Sequence, residues 1–298
     1  MQKEIVNNVP TIIAIVVTYN GSKWVDKCFG SLVNSSIPLK ILAIDNASSD
    51  GTPELIRKKF SEVELIETGK NLGFGKANNI GLKRVLDENA DYAFLLNQDA
   101  WVEVDTIQKL VEVQQKHPEF GILSPVPYDG EGRDYDYIYD KYYKHEIKYD
   151  NKYPCETYKI GFINAAGWLM SFELILNLGG FHNKFYLHGE DKNYIDRLNH
   201  HKKHLVGVCT STKYYHDRKK RESSEELLSK RIYALESKIK TQMYNPSVNP
   251  VILLLKSLFY RCRCVLSKTD KTLHLKAIIF TLKHFSHSLF NRYIHIKL

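Results

Sequence analysis

Thr11-Ile-Ile-Ala-Ile-Val-Val-Thr-Tyr-Asn20 is a near-continuous apolar run that stops at a hydroxyl, a phenol ring and an amide. Apolar residues at consecutive positions, not alternate ones, mark a strand covered on both faces, as in a parallel sheet. Three further strands follow. Leu39-Lys-Ile-Leu-Ala-Ile44 ends at Asp45-Asn46, Val63-Glu-Leu-Ile-Glu67 stands third, and Tyr92-Ala-Phe-Leu-Leu96 ends at Asn97-Gln98-Asp99. Helical stretches separate them: about Ser22 to Val33, a segment opened by Asp50-Gly51-Thr52-Pro53, and Phe74 to about Leu86. Strands and helices alternating at this rhythm predict an α/β fold, a doubly wound, mostly parallel sheet flanked by helices. Ligands of such sheets sit beyond the C-terminal strand ends, so Tyr19-Asn20, Asp45-Asn46 and Asn97-Gln98-Asp99 are expected around one crevice.

The 298 residues are enough to bury a substantial core, and 43% apolar with 26% charged residues is a globular composition. The formal charge of +8 is unevenly placed. Residues 1–212 carry 24 Lys+Arg against 28 Asp+Glu, whereas residues 213–298 carry 18 against 6. A slightly acidic body with a basic tail predicts an anionic partner for the tail and no nucleic acid on the body. Five irregularly spaced cysteines (Cys28, Cys155, Cys209, Cys262 and Cys264) form no disulfide framework, and Met1 to Pro10 lacks an apolar signal core. A reduced, cytoplasmic chain is expected. The longest late apolar stretch, from Val251 to Tyr260, is interrupted by Lys256 and falls short of a membrane span. Pro127 to Pro154, rich in Tyr, Asp and Lys without a period, is expected to be a long mobile loop, serving as a lid or an acceptor-side wall.

The commonest phosphate cradles are missing: no G-x-G-x-x-G follows the first strand, and there is no G-x-x-x-x-G-K-[ST]. In their place stands Thr18-Tyr19-Asn20-Gly21, which suits a flat base and its ribose but is also an ordinary strand-end turn. Asp45 is placed to accept a hydrogen bond from a base or ribose edge, while Asp50 suits a helix cap. Asn71-Leu-Gly-Phe-Gly-Lys76 brings glycines and one cation to a helix start, where a diphosphate is held well; a plain glycine-rich entry loop fits as readily. Asp99 aims a carboxylate into the crevice, where a hard divalent cation could bridge it to phosphates, or it simply caps the next helix. Glu190-Asp191 is a second acidic element, able to take a proton from an attacking hydroxyl. His216 could add a metal ligand. The cluster His200-His201-Lys202-Lys203-His204 is read as a solvated turn, because its lysines repel a cation.

Taken in order, Val17-Thr-Tyr-Asn20, Asp45-Asn46-Ala-Ser-Ser-Asp50, Asn71-Leu-Gly-Phe-Gly-Lys-Ala-Asn78, Leu95-Leu-Asn-Gln-Asp99 and Gly189-Glu-Asp191 resemble the family 2 glycosyltransferases of the GT-A fold. The likeness runs from about Thr11 to Asp217 and is strongest to the rhamnosyltransferase-like and galactofuranosyltransferase-like branch. It implies that Thr18, Tyr19 and Asp45 hold the base and Asn71 and Lys76 the ribose-diphosphate side, with Asn20 and Asn97 also binding the nucleotide. It further implies that Asp99 and His216 bind Mg²⁺ or Mn²⁺, that Asp191 is the catalytic base beside Glu190, and that Trp168 offers its ring to the acceptor sugar, although a core tryptophan fits that position as well. Asn97 stands where the family's D-x-D element begins with Asp, and Asn193 where another acid is common. The expected reaction is an inverting, metal-dependent transfer from a nucleoside-diphosphate sugar to a lipid-linked glycan acceptor, in surface polysaccharide (O-antigen or capsule) synthesis. A sugar nucleotidyltransferase and a non-catalytic glycan-binding module are the alternatives.

Two regions are expected: a catalytic domain over residues 1–220, and a basic helical region over 221–298. Leu275, Ile278, Ile279, Leu282, Phe285 and Leu289 recur at spacings of three and four, with Lys276 and Lys283 largely off that face. This pattern predicts a helix lying on an anionic membrane, at the inner face of the cell membrane, or else packing on the body or forming a homodimer.

Overall fold

The computed structural model describes residues 9–142, 157–218, 228–266, 271–291 and 295–298. In chain order β1 (Ile12–Thr18) leads through a 3-10 turn into α1 (Val25–Val33), and β2 (Lys40–Asp45) into α2 (Thr52–Lys59). β3 (Glu64–Glu67), α3 (Phe74–Asp87), β4 (Tyr92–Asn97), β5 (Ala100–Val102) and α4 (Thr106–Lys116) complete the alternating half. Then come β6 (Phe120–Asp129), α5 (Tyr137–Tyr142), β7 (Thr157–Lys159), β8 (Gly167–Ser171), α6 (Phe172–Leu178), α7 (Glu190–His201) and β9 (Leu205–His216). The chain ends in three helices, α8 (Leu228–Met243), α9 (Pro250–Leu266) and α10 (Lys271–Asn291).

One sheet runs β3-β2-β1-β4-β8-β6-β9-β5, with β7 on β9. β3, β2, β1 and β4 are mutually parallel, as the apolar runs predict. β8 enters antiparallel between β4 and β6, a reversal that no period in the sequence announces. Helices cover both faces, giving two apolar layers. One holds Ile13, Ile15, Leu95, Trp168 and Phe181, and the other Ile12, Val16, Phe94, Leu110 and Leu169. Gly81 on α3 shows how closely a helix seats: a Cβ there would lie 2.7 Å from the Ile15 side chain.

Part of the expected loop is ordered structure. β6 extends to Asp129, and α5 begins where the Asp136 carboxylate accepts from the Ile138 and Tyr139 N–H groups at 2.9 and 3.3 Å. The remainder of that stretch, with Cys155, lies outside the described residues. The described cysteines Cys28, Cys209, Cys262 and Cys264 are free thiols. His200, His201, Lys202 and Lys203 are exposed, as the solvated-turn reading expects, while His204 is buried with neither ring nitrogen hydrogen-bonded.

The C-terminal helices are tied to the body more closely than a separate tail would be. From α8, the Tyr233 hydroxyl donates to Leu187 O, Ser237 Oγ to His188 O, and Lys240 Nζ to Lys184 O. Ile239, Met243 and Tyr244 pack with Phe185 of the body and Ala277 of α10, flanked by Phe280 and Phe285. Beyond α10, Ile296 bridges Gly179 and accepts from the Gly180 N–H at 2.9 Å. Among the described residues no helix is long and apolar enough to cross a membrane.

Candidate active site

Asp99, His216, Glu190 and Asp191 line one cleft of about 550 Å³, although they come from three separate stretches of chain. β4 ends at Asn97, and Asp99 follows in the turn to β5. β5 pairs antiparallel with the end of β9, so that Ala100 faces His216. This pairing brings His216 Nε2 to 3.3 Å from Asp99 Oδ1. On the far side of the ring, His216 Nδ1 lies 3.5 Å from Asp136 Oδ2. Arg218 completes the group, with Nε 3.8 Å from Asp136 Oδ2 and Nη2 3.3 Å from His216 Nδ1. Burial opposes charge on these carboxyls, but His216 and Arg218 outweigh it, and both Asp99 and Asp136 are held below the usual carboxylate range. Burial likewise disfavours the imidazolium, yet Asp136 and Asp99 raise His216 above its ordinary value.

The second acidic pair opens α7. Gly189, with φ of +94°, and His188, with φ of +66°, form a left-handed step that turns the chain into the helix. Asp191 Oδ2 accepts from Asn164 Nδ2 at 3.2 Å, and its Oδ1 from the Lys192 N–H at 2.6 Å. Despite those donors, enclosure in the cleft pushes the Asp191 carboxyl up. Burial, reinforced by the charge of Asp191, pushes Glu190 up to about 7, and its Oε2 has no hydrogen-bond partner. A carboxyl raised in this way is a stronger base than a surface one.

The strand-end residues form a connected rim. Thr18 Oγ1 donates to Asp45 Oδ1 at 2.8 Å, and Ser48 donates to Asp45 through both its N–H and its hydroxyl. Asp45 is 1% exposed, so its carboxylate braces the turn after β2. The Tyr19 N–H donates to Gln98 Oε1 at 2.8 Å, and Gln98 Nε2 donates back to Tyr19 O at 3.1 Å, joining the ends of β1 and β4. That clasp leaves the Tyr19 ring 47% exposed and free to stack on a planar ligand. Asn20, at φ of +49°, accepts from the Ser49 N–H through Oδ1 at 2.9 Å. Asn71 Oδ1 accepts from the Gly73 N–H at 2.9 Å, and Gly73 needs φ of +82°. A Cβ at Gly73 would meet Tyr186 O at 2.1 Å, so only glycine fits there. Asn97 lines the cleft, and its Oδ1 is buried without a hydrogen-bond partner.

Two expectations are corrected by the packing. Trp168 sits on β8, a strand covered on both faces, and is 0% exposed. Its ring stacks on Phe181 at 6.3 Å and meets Tyr194 at 6.1 Å, so it presents no face to an acceptor. Lys76 shares the outer side of α3 with Asn79, Ile80 and Lys83, in a separate depression floored by Asn183 and Leu298. Among the described residues, Arg218 is the permanently charged cation that lines the cleft. Sequence reasoning missed it together with Asp136, Asn164 and the cleft-lining Tyr137, Leu187 and His188. Arg218 alone carried a signal, standing two residues beyond His216.

The chain is 24% identical to an N-acetylglucosaminyl-diphospho-decaprenol L-rhamnosyltransferase of Mycobacterium tuberculosis, across 65% of this chain and 76% of that one. Solved structures share the fold. S. aureus TarS 1-349 superposes with a TM-score of 0.57 at 15% identity, covering 94% of this chain and 73% of the other. The mannosyltransferase PcManGT of Pyrobaculum calidifontis, in complex with GDP-Man and Mn²⁺, superposes with a TM-score of 0.58 at 16% identity, covering 94% and 88%. The family model "Glycosyl transferase family 2" matches residues 13–179, more than half of the chain. A parallel nucleotide-side sheet, two acidic elements in one cleft and that match together make this chain a family 2 glycosyltransferase of the GT-A fold.

Proposed function

We propose that this glycosyltransferase carries out a single, inverting displacement, moving a sugar from a nucleoside-diphosphate donor to a hydroxyl of a lipid-linked glycan. The observation that carries the reading is the shared cleft: a cation-paired carboxylate, Asp99, and a raised carboxyl pair, Glu190-Asp191, line the same space. The names of the relatives support it, one with a decaprenol-linked acceptor and another in complex with UDP-GlcNAc.

The donor set beside β4 suits Mg²⁺ or Mn²⁺. A carboxylate oxygen and an imidazole nitrogen face each other at 3.3 Å, and Asn97, whose buried Oδ1 has no hydrogen-bond partner, lines the same cleft. Asp136 stands behind His216, as carboxylates commonly do behind metal-bound histidines. Among the described residues no group of three protein ligands forms, so an ion held here would take further ligands from donor phosphates and water. Asp99 and His216 would hold the ion, which supplies positive charge to the departing diphosphate. Arg218 adds a fixed cation to the same wall. Tyr19 offers its ring to the base, while Asp45, Thr18, Asn20 and Asn71 hold the rim in shape. Asp191, oriented by Asn164 and the start of α7, takes the proton from the acceptor hydroxyl. Glu190, raised to about 7, keeps a proton near neutrality and limits the negative charge beside the base. The setting is surface polysaccharide assembly at the inner face of the cell membrane.

A panel of nucleotide sugars, read by release of nucleoside diphosphate, tests the reading. One donor should turn over with Mg²⁺ or Mn²⁺ and stop in excess EDTA. The anomeric product should be inverted, and a retained configuration overturns the single displacement.

A further inference from the structure

α10 is apolar on two sides, and only one of them is covered. Its inner side, Leu273, Ala277 and Thr281, is buried against α8 and α9, with Phe280 and Phe285 flanking the small core around Tyr244. Its outer side exposes Leu275, Ile279, Leu282 and Phe290, the last 80% exposed. α9, which packs on α10, repeats the arrangement with Ile252, Leu255, Phe259 and Tyr260 exposed, Phe259 at 74%. Basic side chains stand among them at helical spacing: Lys256 and Arg263 on α9, Lys276 and Lys283 on α10, all exposed. The single apolar face expected from the sequence is thus divided between packing and solvent. Of the other basic residues in this region, Lys268 and Arg292 lie outside the described residues.

We infer that the outer stripes of α9 and α10 are a docking surface for an anionic lipid bilayer. Charge decides between a bilayer and a second copy of the chain. Residues 249–298 hold nine Lys+Arg against one acid, Asp270. A twofold contact through these stripes would face lysine with lysine and leave the charges unpaired. At a bilayer the apolar tips enter the interface while Lys and Arg stems extend to lipid phosphates. Attachment by such a surface is reversible and weakens with salt. The inference rests on the lipid-linked acceptor reading for its purpose, but not for its geometry. α8 connects the two places, since it clamps the loop from Lys184 to His188 just before Glu190 and also seats α10.

The test is co-sedimentation of the full chain with phosphatidylcholine vesicles, with and without phosphatidylglycerol, at low and high salt. Binding should require phosphatidylglycerol and fall with salt. L255E/F259E, and separately K256Q/K276Q/K283Q, should each weaken it tenfold or more while donor turnover in solution and thermal unfolding stay unchanged. Equal binding by both variants and the parent overturns the surface. So does a failure of the parent to bind phosphatidylglycerol vesicles at low salt, in particular with a dimer in light scattering that L255E/F259E dissociates. Failure of the acceptor reading would look different: vesicle binding intact, donor turnover intact, and no transfer to any lipid-linked glycan.

Discussion

The cleft holds two sets of acidic side chains that the fold treats in opposite ways. Asp99 and Asp136 are partly or wholly buried, yet His216 and Arg218 hold both below the usual carboxylate range. Glu190 and Asp191, a short distance away in the same cleft, are pushed up, with amides and N–H groups as their closest donors. The difference is one of supply: β9 ends in His216 with Arg218 two residues beyond, whereas α7 opens with the carboxylates and presents only its N-terminus. A permanently charged set suits holding a cation and a diphosphate, and a raised set suits exchanging a proton. Each set can be broken independently.

The largest effect is expected from the raised set. Asp191→Asn removes the proton acceptor while keeping the Asn164 contact, and kcat should fall about 10²–10⁴-fold. Nucleotide affinity should stay within a few fold, as measured by titration with nucleoside diphosphate. If Glu190→Gln is instead the crippling change and Asp191→Asn is mild, the two neighbours exchange roles.

In the charged set, Asp136 contacts His216 and Arg218 and does not itself line the cleft. Asp136→Asn keeps a side chain able to cap α5, since Asn caps nearly as well as Asp. What it loses is the negative charge behind the ring. Mn²⁺ affinity, read by electron paramagnetic resonance without donor, should fall about 10–100-fold. Thermal unfolding should barely change. A large loss of stability with unchanged Mn²⁺ affinity would make Asp136 a folding residue only.

How far these sets were legible in the sequence follows from the strands that carry them. β1, β2 and β4 are parallel and covered on both faces, so their apolar runs are unbroken and their C-terminal ends are fixed neighbours. Asp45 and Asp99 could be placed on that ground alone. Asp136 could not, because α5 lies in a Tyr- and Asp-rich stretch with no helical period to reveal it. Trp168 was misplaced because β8 inserts antiparallel between β4 and β6, where pairing distant in sequence sets its burial. The basic tail was read as one amphipathic face, but tertiary packing against Phe185 and Tyr244 used one side of α10 and left another bare.

The raised pair also leaves a mark on stability. Folding lifts Glu190 from an ordinary value near 4.5 to about 7, so the folded chain keeps a proton that the unfolded chain has released. Between those values the folded state binds more protons, and stability falls as pH rises through the window. Glu190→Gln removes the titrating group and should flatten the decline, by on the order of 3 kcal/mol at most. Unfolding midpoints of parent and variant from pH 4.5 to 7.5 give the comparison. A residual slope is expected from Asp191, which shifts in the same direction. Parallel curves would mean that Glu190 titrates normally in the folded chain.

The smallest effect sharpens the charged set by exclusion. Lys76 follows Gly73 and Gly75 in a loop suited to phosphate, which made it a natural candidate for the diphosphate side. An α-helix advances about 100° per residue, and here the phase matters more than the motif. Phe74 lines the cleft, so Lys76, two positions on, falls on the outer side of α3 with Asn79, Ile80 and Lys83. Its ammonium is exposed and separated from the donor side by the helix itself. A solvent-screened charge at that position adds little to the binding of a diphosphate. Lys76→Ala should therefore change donor KM by no more than about twofold, the scale of an ordinary surface substitution. Arg218→Ala, which removes the cation lining the cleft, should raise donor KM about tenfold or more. Steady-state kinetics on the two variants with one donor settle the assignment. If Lys76→Ala raises KM as much as Arg218→Ala does, α3 and not the β9 end supplies the charge that meets the diphosphate.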